Sequence, residues 1–243
     1  MDFSNGKEVS ALHKLYFSAK SGNLESCKFL IEEEKEDVNQ IAIYGETPLF
    51  IASQHGHFEI CSFLLERGAN INQAKTNNET PLFTACQNKK IKICKLLLEK
   101  GARVNQSKTN GESALYIASQ NGYNKICKFL IQNKADVNQA RLDNGETPLF
   151  NCARNGNIEN TKFLIKKGAN VNQIRIDNGV TPLYIACQFG NIEVCKILIE
   201  AGACINYTTF EEFTPLFIAS WNGFFDIREF LIEKGAFDLE IKE

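Results

Sequence analysis

Thr47-Pro48-Leu49-Phe50 opens a motif that returns as Thr80-Pro81-Leu82-Phe83, Ser113-Ala114-Leu115-Tyr116, Thr147-Pro148-Leu149-Phe150, Thr181-Pro182-Leu183-Tyr184 and Thr214-Pro215-Leu216-Phe217. The first residues of successive copies lie 33, 33, 34, 34 and 33 positions apart. So regular a period means one supersecondary unit copied in tandem. Such a unit cannot bury its apolar face alone, so neighbours must stack and share a core. A stack offers a long surface and encloses no pocket, which suits holding another macromolecule.

The copy from 47 to 79 is the clearest. Thr47 is an N-cap residue, and Pro48 fits the first turn, where an N–H has no helical partner to lose. Leu49 to Ser53 form the helix body and Gly56 breaks it. A second helix is predicted over 58–66. It puts Ile60, Phe63, Leu64 and Leu65 on one side and Glu59, Ser62 and Glu66 on the other. Gly68 supplies the left-handed residue after it. A polar, hairpin-like loop then leads through Ala69-Asn70-Ile71-Asn72-Gln73 to the next Thr-Pro.

The Thr-Pro-Leu start, the Gly between helices, the Gly-Ala after helix two and the closing Val/Ile-Asn together resemble the ankyrin repeat, whose period is about 33 residues. The resemblance runs from about residue 10 to 243. It implies an all-α repeat solenoid, an ankyrin-repeat stack of helix-turn-helix units with hairpin-like loops. One elongated domain over 1–243 is expected, with repeats at 13–46, 47–79, 80–112, 113–146, 147–180, 181–213 and 214–243. The first, with His13-Lys14-Leu15 at the anchor, suits an N-terminal cap. The last carries Phe237, Leu239 and Ile241, alternating with Asp238 and Glu240, as a self-capping end.

The departures from the family pattern carry information. Phe50, Phe83, Tyr116, Phe150, Tyr184 and Phe217 replace the family's His, so a packed aromatic ladder is expected. Asn78, Lys89 and Lys134 stand where other copies carry Gly, and a positive φ at Lys89 would cost roughly 1 kcal/mol. Asn151 replaces an Ile and needs a partner if buried. The resemblance further implies that Asn39, Asn72, Asn105, Asn138, Asn172 and Asn206 bind loop backbone.

With 27 basic and 29 acidic residues, the chain carries no net charge that would draw it to nucleic acid or an anionic membrane. It shows no apolar run of membrane-spanning length and no signal-peptide core. The one charge block, Glu32-Glu33-Glu34-Lys35-Glu36-Asp37, reads as a solvated loop. Five of the nine cysteines, Cys27, Cys61, Cys94, Cys127 and Cys195, share one phase of helix two. Stacked helices lie roughly 10 Å apart, too far for that column to cross-link. Buried, reduced thiols are expected, and with them a reducing, cytoplasmic setting. Cys86/Cys94 and Cys187/Cys195, one on each helix of a repeat, could approach one another.

Catalytic chemistry finds no foothold. No phosphate-cradling glycine loop occurs, and no His lies beyond His57. His55, His57 and Cys61 could be drawn as a metal cluster, but no zinc-site spacing accompanies them. No metal and no cofactor is expected.

Two columns read as partner-binding. Lys75, Lys108, Arg141 and Arg175 occupy one phase of four successive loops, a basic stripe fit for an acidic protein or peptide. Asp143 and Asp177 would neutralise its far end. The first of the two residues before the inter-helix position runs Gln54, Gln87, Gln120, Arg154 and Gln188 to Trp221, and the second includes His55 and Phe189. Amides there could hold an extended peptide, and the Arg and aromatics could supply its energetic centre. The alternative is a small-ligand or nucleotide sensor that stacks a base on Phe189 or Trp221 and holds phosphate with Arg154. A monomer, or a weak homodimer through the C-terminal repeat, is expected.

Overall fold

A computed structural model describes residues 13–237, apart from the side chain of Ile43. The expectations for Leu239 and Ile241 lie outside the described residues. The chain falls into two compact units that meet at Thr109 and Asn110. The first holds α1 (Lys14–Ser21), α2 (Leu24–Glu32), α3 (Pro48–His55), α4 (Phe58–Glu66), α5 (Pro81–Gln87) and α6 (Ile91–Glu99), with a 3-10 turn at Ile43–Gly45. The second holds α7 (Ala114–Gln120), α8 (Asn124–Gln132), α9 (Pro148–Arg154), α10 (Ile158–Lys166), α11 (Pro182–Gln188), α12 (Ile192–Glu200), α13 (Pro215–Trp221) and α14 (Phe225–Glu233). Among the described residues there is no strand.

Each repeat is an antiparallel pair, odd helix then even. Within the first unit α1 packs on α3 and α3 on α5, with α2, α4 and α6 stacked behind them. Within the second, α7, α9, α11 and α13 form the front row and α8, α10, α12 and α14 the back row.

The anchors fix where the helices start. The hydroxyl oxygens of Thr47, Thr80, Ser113, Thr181 and Thr214 accept the backbone N–H three residues on, one of the donors a helix start leaves open. The predicted left-handed residues are in place, with φ of 62° at Asn78, 57° at Lys89 and 67° at Lys134. The loops close like hairpins: the Lys75 N–H donates to the Glu79 carbonyl at 3.0 Å, and that of Arg141 to Glu146 at 2.9 Å.

Three ladders tie neighbours together inside each unit. The rings of Phe50, Phe83, Tyr116 and Phe150 are fully buried, so the aromatic column is core over these four repeats; Tyr184 is buried and Phe217 only half-buried. Behind it, the second-helix thiols face the first helix. Cys61 Sγ lies 3.6 Å from Ser53 Oγ, and Cys127 Sγ lies 3.6 Å from Ser119 Oγ. Cys86 and Cys94 approach to 3.5 Å and Cys187 and Cys195 to 3.6 Å, each pair unbridged. Burial pushes the Cys27 and Cys127 thiols up to about 11 and that of Cys61 to about 12. The Asn ladder links successive loops. Asn138 Nδ2 donates to the Gly168 carbonyl at 2.9 Å and its Oδ1 accepts the Asn170 N–H at 2.8 Å; Asn39, Asn172 and Asn206 repeat both bonds.

Candidate functional site: ion rungs, an amide column and an aromatic end

The residue before each Thr-Pro anchor decides what the basic column can do. It is Glu46, Glu79, Glu112 and Glu146, then Val180 and Phe213. A carboxylate at this phase faces the cation of its own or the next loop. In the first unit, Lys75 Nζ lies 3.4 Å from Glu79 and 4.0 Å from Glu46, and 5.0 Å above the Phe50 ring. Lys108 Nζ lies 5.3 Å above the Phe83 ring. In the second, Arg141 lies 3.2 Å from Glu112 and 5.6 Å above the Tyr116 ring.

The loops after α8 and α10 are one residue longer, and the additional residue is Asp143 or Asp177. Each receives a two-pronged bond from the Arg two positions earlier, with Nε donating at 2.9 Å and 3.0 Å. Arg suits these longer loops because its planar fork grips both oxygens of the Asp while its remaining nitrogen reaches a Glu, Glu112 for Arg141 and Glu146 for Arg175. These bonds hold the Asp143 and Asp177 carboxyls below their ordinary 3.8. Within its own unit, each of these cations of the stripe differs from the free charge expected: Lys75, Arg141 and Arg175 are each matched by carboxylates within the fold. Asp143 and Asp177 neutralise it as expected. The Glu column does more, and it escaped the sequence reading, although its phase was visible.

Glu146 is the centre of this arrangement. Buried to 3% exposure, it accepts from Tyr116 Oη at 2.9 Å, Arg154 Nη2 at 2.6 Å and Arg175 Nη1 at 3.3 Å. Asn151 finds its partners beside it: Arg154 Nη1 donates to its Oδ1 at 3.2 Å, and its Nδ2 donates to the Tyr116 carbonyl at 3.4 Å. Arg154 is thus turned into the fold, and a phosphate would have to displace Glu146 to reach it.

The second column stays open. Gln87, Gln120 and Gln188 are exposed, Gln54 is half-buried, and His55 is exposed beside it. The His55 ring lies 6.1 Å from that of His57, and burial, then the His57 charge, holds its pKa below the ordinary 6.5. His57 Nε2 sits 3.1 Å from the Lys20 carbonyl. Cys61 turns instead to Ser53, so the three imagined metal ligands have separate neighbours. At the far end of this column in the second unit, Phe189 is 49% exposed and Trp221 76% exposed. Asn222 Nδ2 donates to the Gln188 carbonyl at 3.1 Å, which sets the two aromatics on adjoining turns.

Where the Glu column ends, aromatic stacking replaces it. Phe213 takes the acid's phase and stacks on Phe217 at 4.6 Å, and Phe217 stacks on Trp221 at 5.8 Å. At the loop tips of this unit, Leu142, Ile176 and Phe210 are also exposed. Each sends its N–H to the Asn carbonyl of the preceding tip, Asn110, Asn144 or Asn178, at 2.9 to 3.0 Å. Tyr184, buried to 8% exposure, has its phenol pKa raised by burial and then by the charge of Glu211.

The sequence matches the family described as Ankyrin repeats (3 copies) over residues 15–108, 72–141, 104–175, 133–209 and 172–243. It is 39% identical over 69 residues to Ankyrin repeat domain-containing protein 39 of Homo sapiens, covering 28% of this chain and 33% of that protein. It is 34% identical over 65 residues to Ankyrin repeat domain-containing protein 29 of Danio rerio, covering 27% and 22%. Over 57 residues it is 42% identical to Palmitoyltransferase akr1 of Schizosaccharomyces pombe, covering 24% and 9%. The match therefore spans a third or less of each of these relatives. The crystal structure of the human ASB11 ankyrin repeat domain superposes with a TM-score of 0.78 at 26% identity, covering 93% of this chain and 99% of that one.

Proposed function

This chain belongs to the ankyrin-repeat family, whose domains are in general non-catalytic modules that bind proteins, and from that premise we propose that it is a scaffold, adaptor or inhibitor. It holds a partner protein or extended peptide against the face built from first-helix ends and loop tips. The observation that carries this reading is the open aromatic end, Phe189 and Trp221 beside the stack of Phe213 and Phe217. Exposed Trp and Phe on one face are the residue types that dominate binding energy once buried. Gln120 and Gln188, exposed along the same column, supply paired donors and acceptors for a peptide backbone.

The reading takes the chain to be no enzyme. It also takes the setting to be the cytoplasm, where eight buried free thiols stay reduced. Among the described residues no helix is long and apolar enough to cross a membrane.

The test is affinity capture from native lysate on immobilised chain, followed by affinity measurement with the captured partner. Trp221→Ala should weaken binding by at least about 2 kcal/mol while far-ultraviolet circular dichroism stays unchanged. Undiminished affinity for every captured protein would remove this face from the reading.

A further inference from the structure

The ion rungs stop before the chain does. At the phase that puts Lys75, Lys108 and Arg141 over the rings of Phe50, Phe83 and Tyr116, and that Arg175 fills in the loop after them, the last loop carries Thr209. From Ile197 to Ile227 there is no Lys or Arg at all, in a chain that has 27 of them. The same stretch carries Glu200, Glu211, Glu212 and Asp226. Glu211 and Glu212 are exposed on the loop that leads into Phe213 and its stack, and no cation of the described residues bridges either carboxylate. Phe217 is only half-buried, unlike Phe50, Phe83, Tyr116 and Phe150, and Trp221 presents most of its indole to solvent. Electron-rich ring faces beside unmatched carboxylates make a cation-seeking surface: the rings attract a guanidinium or ammonium and the acids attract its charge.

Building on the protein-binding reading above, we propose that this aromatic end takes an arginine or lysine side chain from a basic, extended segment of the partner. That side chain seats against Phe217 and Trp221 with Glu211 and Glu212 as counter-charges, and so supplies from outside the rung that the other loops supply from within. The direction is opposite to the acidic partner suggested by the basic column. Lys75, Arg141 and Arg175 of that column already have carboxylates; among the described residues, no cation bridges Glu211 or Glu212. Arginine is favoured over lysine, because it stacks flat on an aromatic ring and loses less hydration on doing so.

Trp221 is the chain's one Trp, so its emission reports on this face alone. The probe is an octapeptide alternating arginine with serine, titrated at low salt against the same peptide with citrulline or with glutamate for arginine. The arginine peptide should change Trp221 emission saturably, and the citrulline and glutamate peptides should not. Glu211→Gln with Glu212→Gln, on an exposed loop and with Trp221 intact, should weaken that response by about three- to tenfold. Added salt should weaken it further. No response to the arginine peptide up to about 1 mM sinks the proposal. So does a response that survives the double variant, or one shared by the citrulline peptide. If the glutamate peptide binds with the same dependence on Trp221, the face still binds peptides and the basic-partner inference alone falls. A dimer in light scattering that Trp221→Ala dissolves would overturn it too, since a second copy would then occupy the face.

Discussion

A single backbone dihedral shows how far one residue can be read. Between the helices of repeat 3 the chain must turn left-handed, and where its neighbours use Gly it uses Lys89, at a φ of 57°. A Cβ in that conformation costs about 1 kcal/mol. Lys89→Gly should therefore raise the unfolding free energy by about that amount in urea denaturation, and a neutral or lower midpoint would contradict it. This position was legible because six other copies define its phase. Lys35, Tyr44 and Glu212 also have positive φ, and they were not legible, because their loops differ in length or composition from the rest. Partners were harder still. Glu46, Glu79, Glu112 and Glu146 are as regular as the cations they meet, yet a column read by itself does not show which column faces it. The pairing rests on loops about 30 residues apart, and only their geometry reveals it. Its chemistry can be checked by pH. The Arg141 and Arg175 bonds depress the Asp143 and Asp177 pKa values relative to the unfolded chain. The stabilisation is thus present above about 4 and is lost as pH falls through the lower, folded values. Asp143→Asn with Asp177→Asn should flatten the acid limb of the stability profile below pH 4. An unaltered limb would mean that these pairs add nothing measurable.

At the scale of the helix pair, repeat 5 differs from its neighbours. Its core replaces the Ile of other copies with Asn151 on α9 and with Asn160 on α10, and the Cys of the second-helix column with Thr161. Asn151 and Thr161 are satisfied: Thr161 Oγ1 donates to the Asn157 carbonyl at 2.8 Å. Asn160 is 1% exposed and lies beside the weakly polar Cys127 thiol, and neither its Nδ2 nor its Oδ1 makes a hydrogen bond of ordinary geometry. A buried amide left so costs about 1 to 3 kcal/mol. Asn160→Ile restores the residue type of four other repeats, Ile60, Ile93, Ile126 and Ile227, and should stabilise by a comparable amount, read as a higher denaturant midpoint at unchanged m-value. A destabilised Asn160→Ile would show that the amide is needed where it sits. The sequence reading caught Asn151 and passed over Asn160, because a polar residue one turn into a second helix looks like an exposed one until its burial is known.

Across the whole chain, the buried thiols make these local differences measurable. Cys27, Cys61, Cys86 and Cys94 lie in the first unit and Cys127, Cys152, Cys187 and Cys195 in the second, all buried; Cys204 alone is exposed. Burial raises the Cys152 and Cys187 thiols well above the ordinary 9.0, so neither offers thiolate to a reagent while its surroundings stay folded. In native buffer a pulse of maleimide should label Cys204 and leave the other eight. In a repeat stack each unit is held by its own core and its neighbours', so local weakness shows as local opening and not as an average. Repeat 5 carries the unsatisfied Asn160. Its Cys152 should accordingly become labelled at lower urea than Cys187 and Cys195, which sit in a repeat whose core is Ile, Ala and Cys. Asn160→Ile should close that gap, moving Cys152 toward the others while Cys204 stays fast. Tandem mass spectrometry of tryptic peptides reads each thiol, with fragmentation separating Cys187 from Cys195 on the one peptide, 176–196, that holds both. If all four buried thiols of the second unit label together at one urea concentration, in the wild type and in Asn160→Ile alike, the unit opens as a single cooperative body. The polar core of repeat 5 then lowers the stability of the whole unit, with no weak point of its own.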